Sequence, residues 1–98
     1  MSVIEIIEFT THPNVERRDL EHALEALDHE LRAIGGFQSR DLYRAADVDD
    51  GWILDYRWDT LTTAQTSMGM VAGTDALTHL MTLINKPETM RMTYGTPE

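Results

Sequence analysis

The sequence has no cysteine, and only three prolines among its 98 residues. The first absence excludes disulfides and thiolate metal ligands. Basic residues are scarce too: eight Lys and Arg stand against seventeen Asp and Glu, a formal charge of −9 at pH 7. A nucleic acid or other polyphosphate partner would therefore meet net repulsion, and no tight cluster of cations offsets it. No apolar run approaches the roughly twenty residues of a membrane span. The opening MSVIEIIEF carries Glu5 and Glu8 where a secretory signal needs a basic end and an unbroken apolar run, so a cytoplasmic location is expected. No GxGxxG, Walker loop, HExxH or nucleophile elbow occurs.

What is present fits a single domain over residues 1–98, with a core thin enough that self-association would help. Residues 3–11, VIEIIEFTT, read as a strand with two differently wetted faces. Asn14 is a candidate cap for a long helix. Leu20, Leu24, Leu27, Leu31 and Ile34 follow in steps of four and three as one apolar stripe, and Gly35 and Gly36 end it. FQSRDLYRAA (37–46) and GWILDYRWDT (51–60) are expected to form a hairpin around VDDG at 48–51. Thr60 caps a short helix to about Met70, and a break bracketed by Gly69 and Gly73 precedes a second one capped by Thr74, with Leu77, Leu80, Met81 and Ile84 inward. Pro87 stops that helix and TMRMTYGT (89–96) reads as a last strand.

The order is β-α-β-β-α-β, the ferredoxin-like α+β arrangement of an antiparallel sheet with helices on one face. Parity assigns Glu8, Arg40, Arg44, Asp55, Arg57 and Arg91, mixed with Ile4, Ile6, Leu42 and Ile53, to the other face. Such a mixture suits a homodimer formed sheet to sheet with ion pairs in the seam.

In GWILDYRWDT, Trp52, Leu54, Tyr56 and Trp58 share one parity. Three aromatics on one strand face, in a chain with two tryptophans, three tyrosines and two phenylalanines, make either a core wall or the floor of a pocket. The wheel of the last helix turns His79 away from its apolar side, and His12 sits at the first strand's end beside Pro13, so both read as surface histidines unless the fold brings them inward. His22 and His29 share a face of the long helix in an acidic neighbourhood, at a spacing of seven rather than the three or four a metal pair prefers. Met68, Met70, Met81, Met90 and Met92 supply soft walls, for a core or for an irregular cavity.

The helix end passing into GGF (35–37), then SRDLYRAAD (39–47) and ILDYRWDT (53–60), resembles the antibiotic biosynthesis monooxygenase-like family of the dimeric α/β barrel superfamily. Gly35 stands where that family usually has proline, and Thr60 where it usually has serine. The resemblance implies a dimeric α/β barrel with an apolar pocket between sheet and helices. It further implies a cofactor-independent monooxygenase acting on an aromatic or polyketide-like substrate, with no cofactor and no metal. The substrate loses a proton and its electron-rich anion reacts directly with dioxygen. On this reading Trp58 and Tyr56 orient the substrate, Trp52, Met68 and Phe9 wall it, and His79, His12 and Tyr56 are the catalytic candidates. The alternative is a non-catalytic ligand-binding dimer of the same type. The haem-degrading branch is not expected, because the first strand has no Asn and the helix from Leu61 to Met70 has no Trp.

Overall fold

A computed structural model describes residues 2–98 of the protein. Its elements are β1 (Val3–Thr11), α1 (Arg17–Ile34), β2 (Phe37–Arg44), β3 (Gly51–Trp58), α2 (Leu61–Val71), α3 (Asp75–Leu83), β4 (Ile84–Asn85) and β5 (Arg91–Gly95), with a 3-10 turn at Pro87–Thr89. The strands form one open antiparallel sheet in which β1 pairs with β3 on one edge and with β4 and β5 on the other, while β2 pairs with β3. This is the ferredoxin-like arrangement expected from the sequence. No helix among the described residues is long and apolar enough to cross a membrane.

α1 forms where the leucine stripe placed it, and Leu20, Ala23, Leu24, Leu27 and Leu31 are buried against the sheet. Its N-terminus differs from expectation. Glu16 rather than Asn14 occupies the cap, and the Asp19 carboxylate accepts the Glu16 backbone N–H at 3.0 Å. The chain turns through Pro13 and Asn14 before it can enter the helix, so Asn14 lies too early to bond the first free amides. Gly35 and Gly36 end α1 with φ of +96° and +84°, a region that side-chain-bearing residues avoid. Thr60 and Thr74 cap α2 and α3 as expected, each accepting the amide three residues on, Thr63 and Leu77.

Along β1, Val3, Glu5, Ile7, Phe9 and Thr11 point toward the helices. Along β3, Trp52, Leu54, Tyr56 and Trp58 do the same, so the aromatic parity is the inner wall. β2 overturns the parity assigned to it. A register shift between Phe37 and Ser39 inserts Gln38 as an extra residue, after which Arg40 pairs with Tyr56, Leu42 with Leu54 and Arg44 with Trp52. A bulge of this kind exchanges the two faces of everything after it. Arg40, Leu42 and Arg44 therefore lie on the helix side, and Asp41 and Tyr43 face outward. The third helix also ends earlier than the sequence predicts. Ile84 leaves it to begin β4, which pairs with Thr10 and Thr11, and Lys86 takes a left-handed turn (φ +53°) ahead of Pro87.

The outer face of the sheet carries Ile4, Ile6 and Ile53, partly exposed, together with Glu8, Arg57 and Arg91. Tyr43 is 51% exposed there. Asp41 stands directly opposite Asp55 across β2 and β3, a like-charge pairing that destabilises a sheet left to itself.

Candidate active site

The inner aromatic wall does not pack flush against α2. The inward residues of that helix are Ala64, Ser67 and Val71, all small or medium, and the Ser67 hydroxyl bonds back to Ala64 O at 2.8 Å. A gap remains under α2 and α3, a cavity of about 40 Å³ reached by Tyr56 and Trp58 of β3, by Phe9 and Glu5 of β1 and by Met68, Met81 and Met90. Its surface is almost wholly apolar.

Besides Ser67, whose hydroxyl is tied to its own helix, two polar residues line it. The first is Glu5, which sequence reasoning used only to argue against a signal segment. It is 3% exposed, and its Oε1 accepts the indole N–H of Trp58 at 3.0 Å. Burial raises its pKa above the usual carboxylate value, while the Trp58 hydrogen bond and the neighbouring Tyr94 hydroxyl partly counter this. The signal was available in the alternation of β1: Glu5 shares the parity of Val3, Ile7 and Phe9, an acid in the buried phase of the strand. The second is Tyr56, whose hydroxyl is buried and has no hydrogen-bond partner among the described residues. Burial raises its pKa well above that of an ordinary phenol, with the Asp28 charge adding and Arg40 opposing, so it stays a neutral donor. An unpartnered buried hydroxyl is costly. A ligand or water oxygen in the cavity would satisfy it.

Glu5 makes stability depend on pH. Because folding raises its pKa, the folded chain keeps a proton that the unfolded chain has released. The Glu5 contribution therefore favours folding near pH 4.5, its ordinary value, and is lost as pH rises through the folded value. Glu5→Gln still accepts from Trp58 and is expected to melt higher than the parent at pH 7, with the difference shrinking towards pH 5. Calorimetry at the two pH values checks this.

Beneath Tyr56 lies a buried ion cluster. Arg40 bonds Asp28 through Nη2 at 2.8 Å and Nε at 3.1 Å, and Glu21 through Nη1 at 3.0 Å. Burial works against its charge, but the two carboxylates more than offset this and raise its pKa. Phe37 meets Tyr56 and Trp58 edge-on, at 6.0 and 5.7 Å between centroids, and holds both rings in place.

The remaining sequence candidates divide clearly. Phe9, Met68, Tyr56 and Trp58 are brought together at the cavity. Trp52 is not: six residues along β3 from Trp58, or roughly 20 Å at strand rise, it is buried under Arg44, whose guanidinium sits 4.2 Å from the ring centroid. Its indole N–H donates to Thr11 Oγ1 at 3.1 Å. His79 and His12 are both exposed and neither lines the cavity. On α3, Leu80 takes the buried side and turns His79 to solvent, and His12 follows the last residue of β1 into a surface turn. His22 and His29 are exposed as well.

No protein-family description and no curated protein matches the sequence. Solved structures match the fold over nearly all of it. SnoaB, a cofactor-independent oxygenase from Streptomyces nogalater, gives a TM-score of 0.72 at 18% identity, covering 99% of this chain and 98% of that one. The ActVA-Orf6 monooxygenase of Streptomyces coelicolor, solved with the ligand nanaomycin D, gives 0.72 at 16% identity over 99% and 88%. Rv0793 of Mycobacterium tuberculosis gives 0.65 at 24% identity over 100% and 96%. The chain thus has the ferredoxin-like protomer fold that the resemblance implied, with its own sheet open.

Proposed function

We propose that the chain is a cofactor-independent monooxygenase for a flat aromatic or polyketide-like substrate, acting as a homodimer. The observation that carries this reading is the aromatic-walled, apolar cavity lined by a buried carboxylate, Glu5, and by Tyr56, whose buried hydroxyl has no partner among the described residues. The fold it shares with a cofactor-independent oxygenase agrees with it.

The chemistry asks little of the protein beyond binding, charge placement and exclusion of water. A phenolic substrate gives up a proton, and its delocalised anion passes an electron to dioxygen. The resulting carbon radical and superoxide combine to a peroxide anion, which takes up a proton and then loses water to leave a carbonyl. One oxygen atom ends in the product and the other in water. Trp58 and Phe9 would lie against the ring system, and Tyr56 would donate to a substrate oxygen. At about 40 Å³ the cavity holds roughly three waters at most. A ring system enters by displacing Met68, Met81 and Met90, flexible side chains suited to such a move.

The outer sheet face supports the dimer. Asp55 Oδ1 is buried without a partner among the described residues, its Oδ2 lies 3.5 Å from Arg57, and Asp41 faces it. A second copy of the sheet would bring an arginine against this acidic pair and cover Ile4, Ile6 and Ile53.

The test is dioxygen uptake with the dihydroxyanthrone dithranol. Trp58→Phe and Tyr56→Phe, in protein that sediments as the parent does, are each expected to lower kcat/KM by tenfold or more, about 1.4 kcal/mol of transition-state stabilisation. Binding of the anthrone without uptake in the parent would leave a ligand-binding dimer instead.

A further inference from the structure

The reaction needs a base, and no imidazole reaches the cavity. Resting on the oxygenase reading above, we propose that Glu5 is the catalytic base and that Tyr94 is the positioning residue that carries its proton to solvent.

The geometry has three parts. Glu5 points from the middle of β1 into the cavity that Tyr56 and Trp58 wall, so a substrate hydroxyl that meets Tyr56 lies within the same small space. Trp58 holds one carboxylate oxygen at 3.0 Å and so fixes the orientation of the group. Tyr94 is the residue directly opposite Glu5 across β1 and β5, on the same face. Its side chain is partly exposed, whereas Glu5 is not. The Tyr94 hydroxyl donates to Met92 Sδ at 3.2 Å, and its place opposite Glu5 lets it favour the charged carboxylate. A hydroxyl that can turn between an internal carboxylate and a solvent-side position can accept the Glu5 proton on its oxygen as its own leaves to water. Tyr94 need not ionise for this, and burial beside Glu5 raises its pKa, keeping it neutral.

The surroundings leave Glu5 as the proton acceptor. The titratable groups facing it are the hydroxyls of Tyr56 on β3 and Tyr94 on β5. Ser67, Leu80 and Met81 of α2 and α3, and Leu27 and Leu31 of α1, bring no charge to the cavity. Asp28 and Arg40 act from behind Tyr56 as a paired unit. A carboxylate whose proton affinity is raised by burial is a stronger base than one in water. In the step itself, the substrate O–H bond breaks, its proton goes to a Glu5 oxygen, and the electron pair stays on the substrate anion that dioxygen then oxidises.

The experiment uses the full chain, with dithranol binding followed by quenching of tryptophan fluorescence and turnover by dioxygen uptake across pH. Glu5→Gln should bind the probe within about threefold of the parent and lose at least about a hundredfold in kcat, the usual scale of a missing general base. Glu5→Asp, which keeps a carboxylate, should recover part of the rate. Tyr94→Phe removes a hydroxyl that favours the charged carboxylate, so the acidic limb of its kcat/KM profile should move to higher pH while probe affinity holds. Uptake by the parent that Glu5→Gln retains within twofold would overturn the base assignment and leave the oxygenase reading intact. An unshifted pH limb in Tyr94→Phe would overturn the relay. No uptake by the parent would overturn the oxygenase reading, and the base assignment with it.

Discussion

Replacing Arg40 by methionine is expected to destabilise the fold by roughly 3–5 kcal/mol, the usual result of stranding one member of a buried ion pair. Arg40 and Asp28 have side chains only 8% and 7% exposed. Methionine fills much of the space of the arginine stem but leaves the Asp28 carboxylate without its bidentate partner, in a layer already crowded by Tyr56. On a domain of this length the melting temperature should drop by on the order of 15 °C or more. The companion change separates charge from packing. Adding Asp28→Leu to Arg40→Met removes the stranded charge and should restore most of the loss, because a matched apolar pair is often as stable as the ion pair it replaces. Urea denaturation of the parent, the single variant and the double variant measures both steps. A loss below about 1 kcal/mol in the single variant would place this pair in solvent-like surroundings.

The second large effect is expected at Gly36. A methyl group there would meet Asp59 Oδ1 at 2.6 Å and the Thr63 side chain at 3.0 Å, on a backbone already at φ +84°. Asp59 N–H donates to Gly36 O at 2.9 Å, and Thr63 Oγ1 donates to Asp59 at 2.6 Å, so this contact fixes how α2 leaves β3. Gly36→Ala should cost about 2–4 kcal/mol, backbone strain and overlap together. Gly35→Ala is the control. Its φ is also positive, but nothing lies within 4 Å of the added carbon, so only the backbone part, about 1–3 kcal/mol, applies. The difference between the two variants isolates the steric contact that sets α2 over the cavity. Equal losses would show that the contact has no weight.

These two positions also mark how far the sequence could be read. The α1 stripe, both glycines at its end, the threonine caps and the inward aromatics of β3 follow local rules of period, turn and capping, and the structure has them where those rules put them. The face of β2 does not follow such a rule. It depends on one bulged residue, Gln38, whose placement is set by how Phe37 docks on Trp58 and by the burial of Arg40 against α1, contacts between residues far apart in the chain. The short β4 was hidden for a similar reason, since Ile84 satisfies a helical wheel and a strand equally well until Thr10 and Thr11 pair with it. Of the site, the aromatic floor was legible and Trp52 was over-counted, because parity says which face a residue takes but not which end of the sheet a cavity occupies. Glu5 could have been found as an acid in the buried phase of β1. The cavity itself could not, since it arises from the small inward side of α2 set against large rings on another strand.

The central claim is that this cavity passes dioxygen to a bound phenol using the chain's own residues. The most direct test is turnover of dithranol by chelator-treated protein under isotopically heavy dioxygen, with the product analysed by mass spectrometry. The account predicts one heavy oxygen atom in the new carbonyl, and loss of that product in Glu5→Gln. Uptake no faster than in buffer, or a carbonyl oxygen drawn from water, would contradict it.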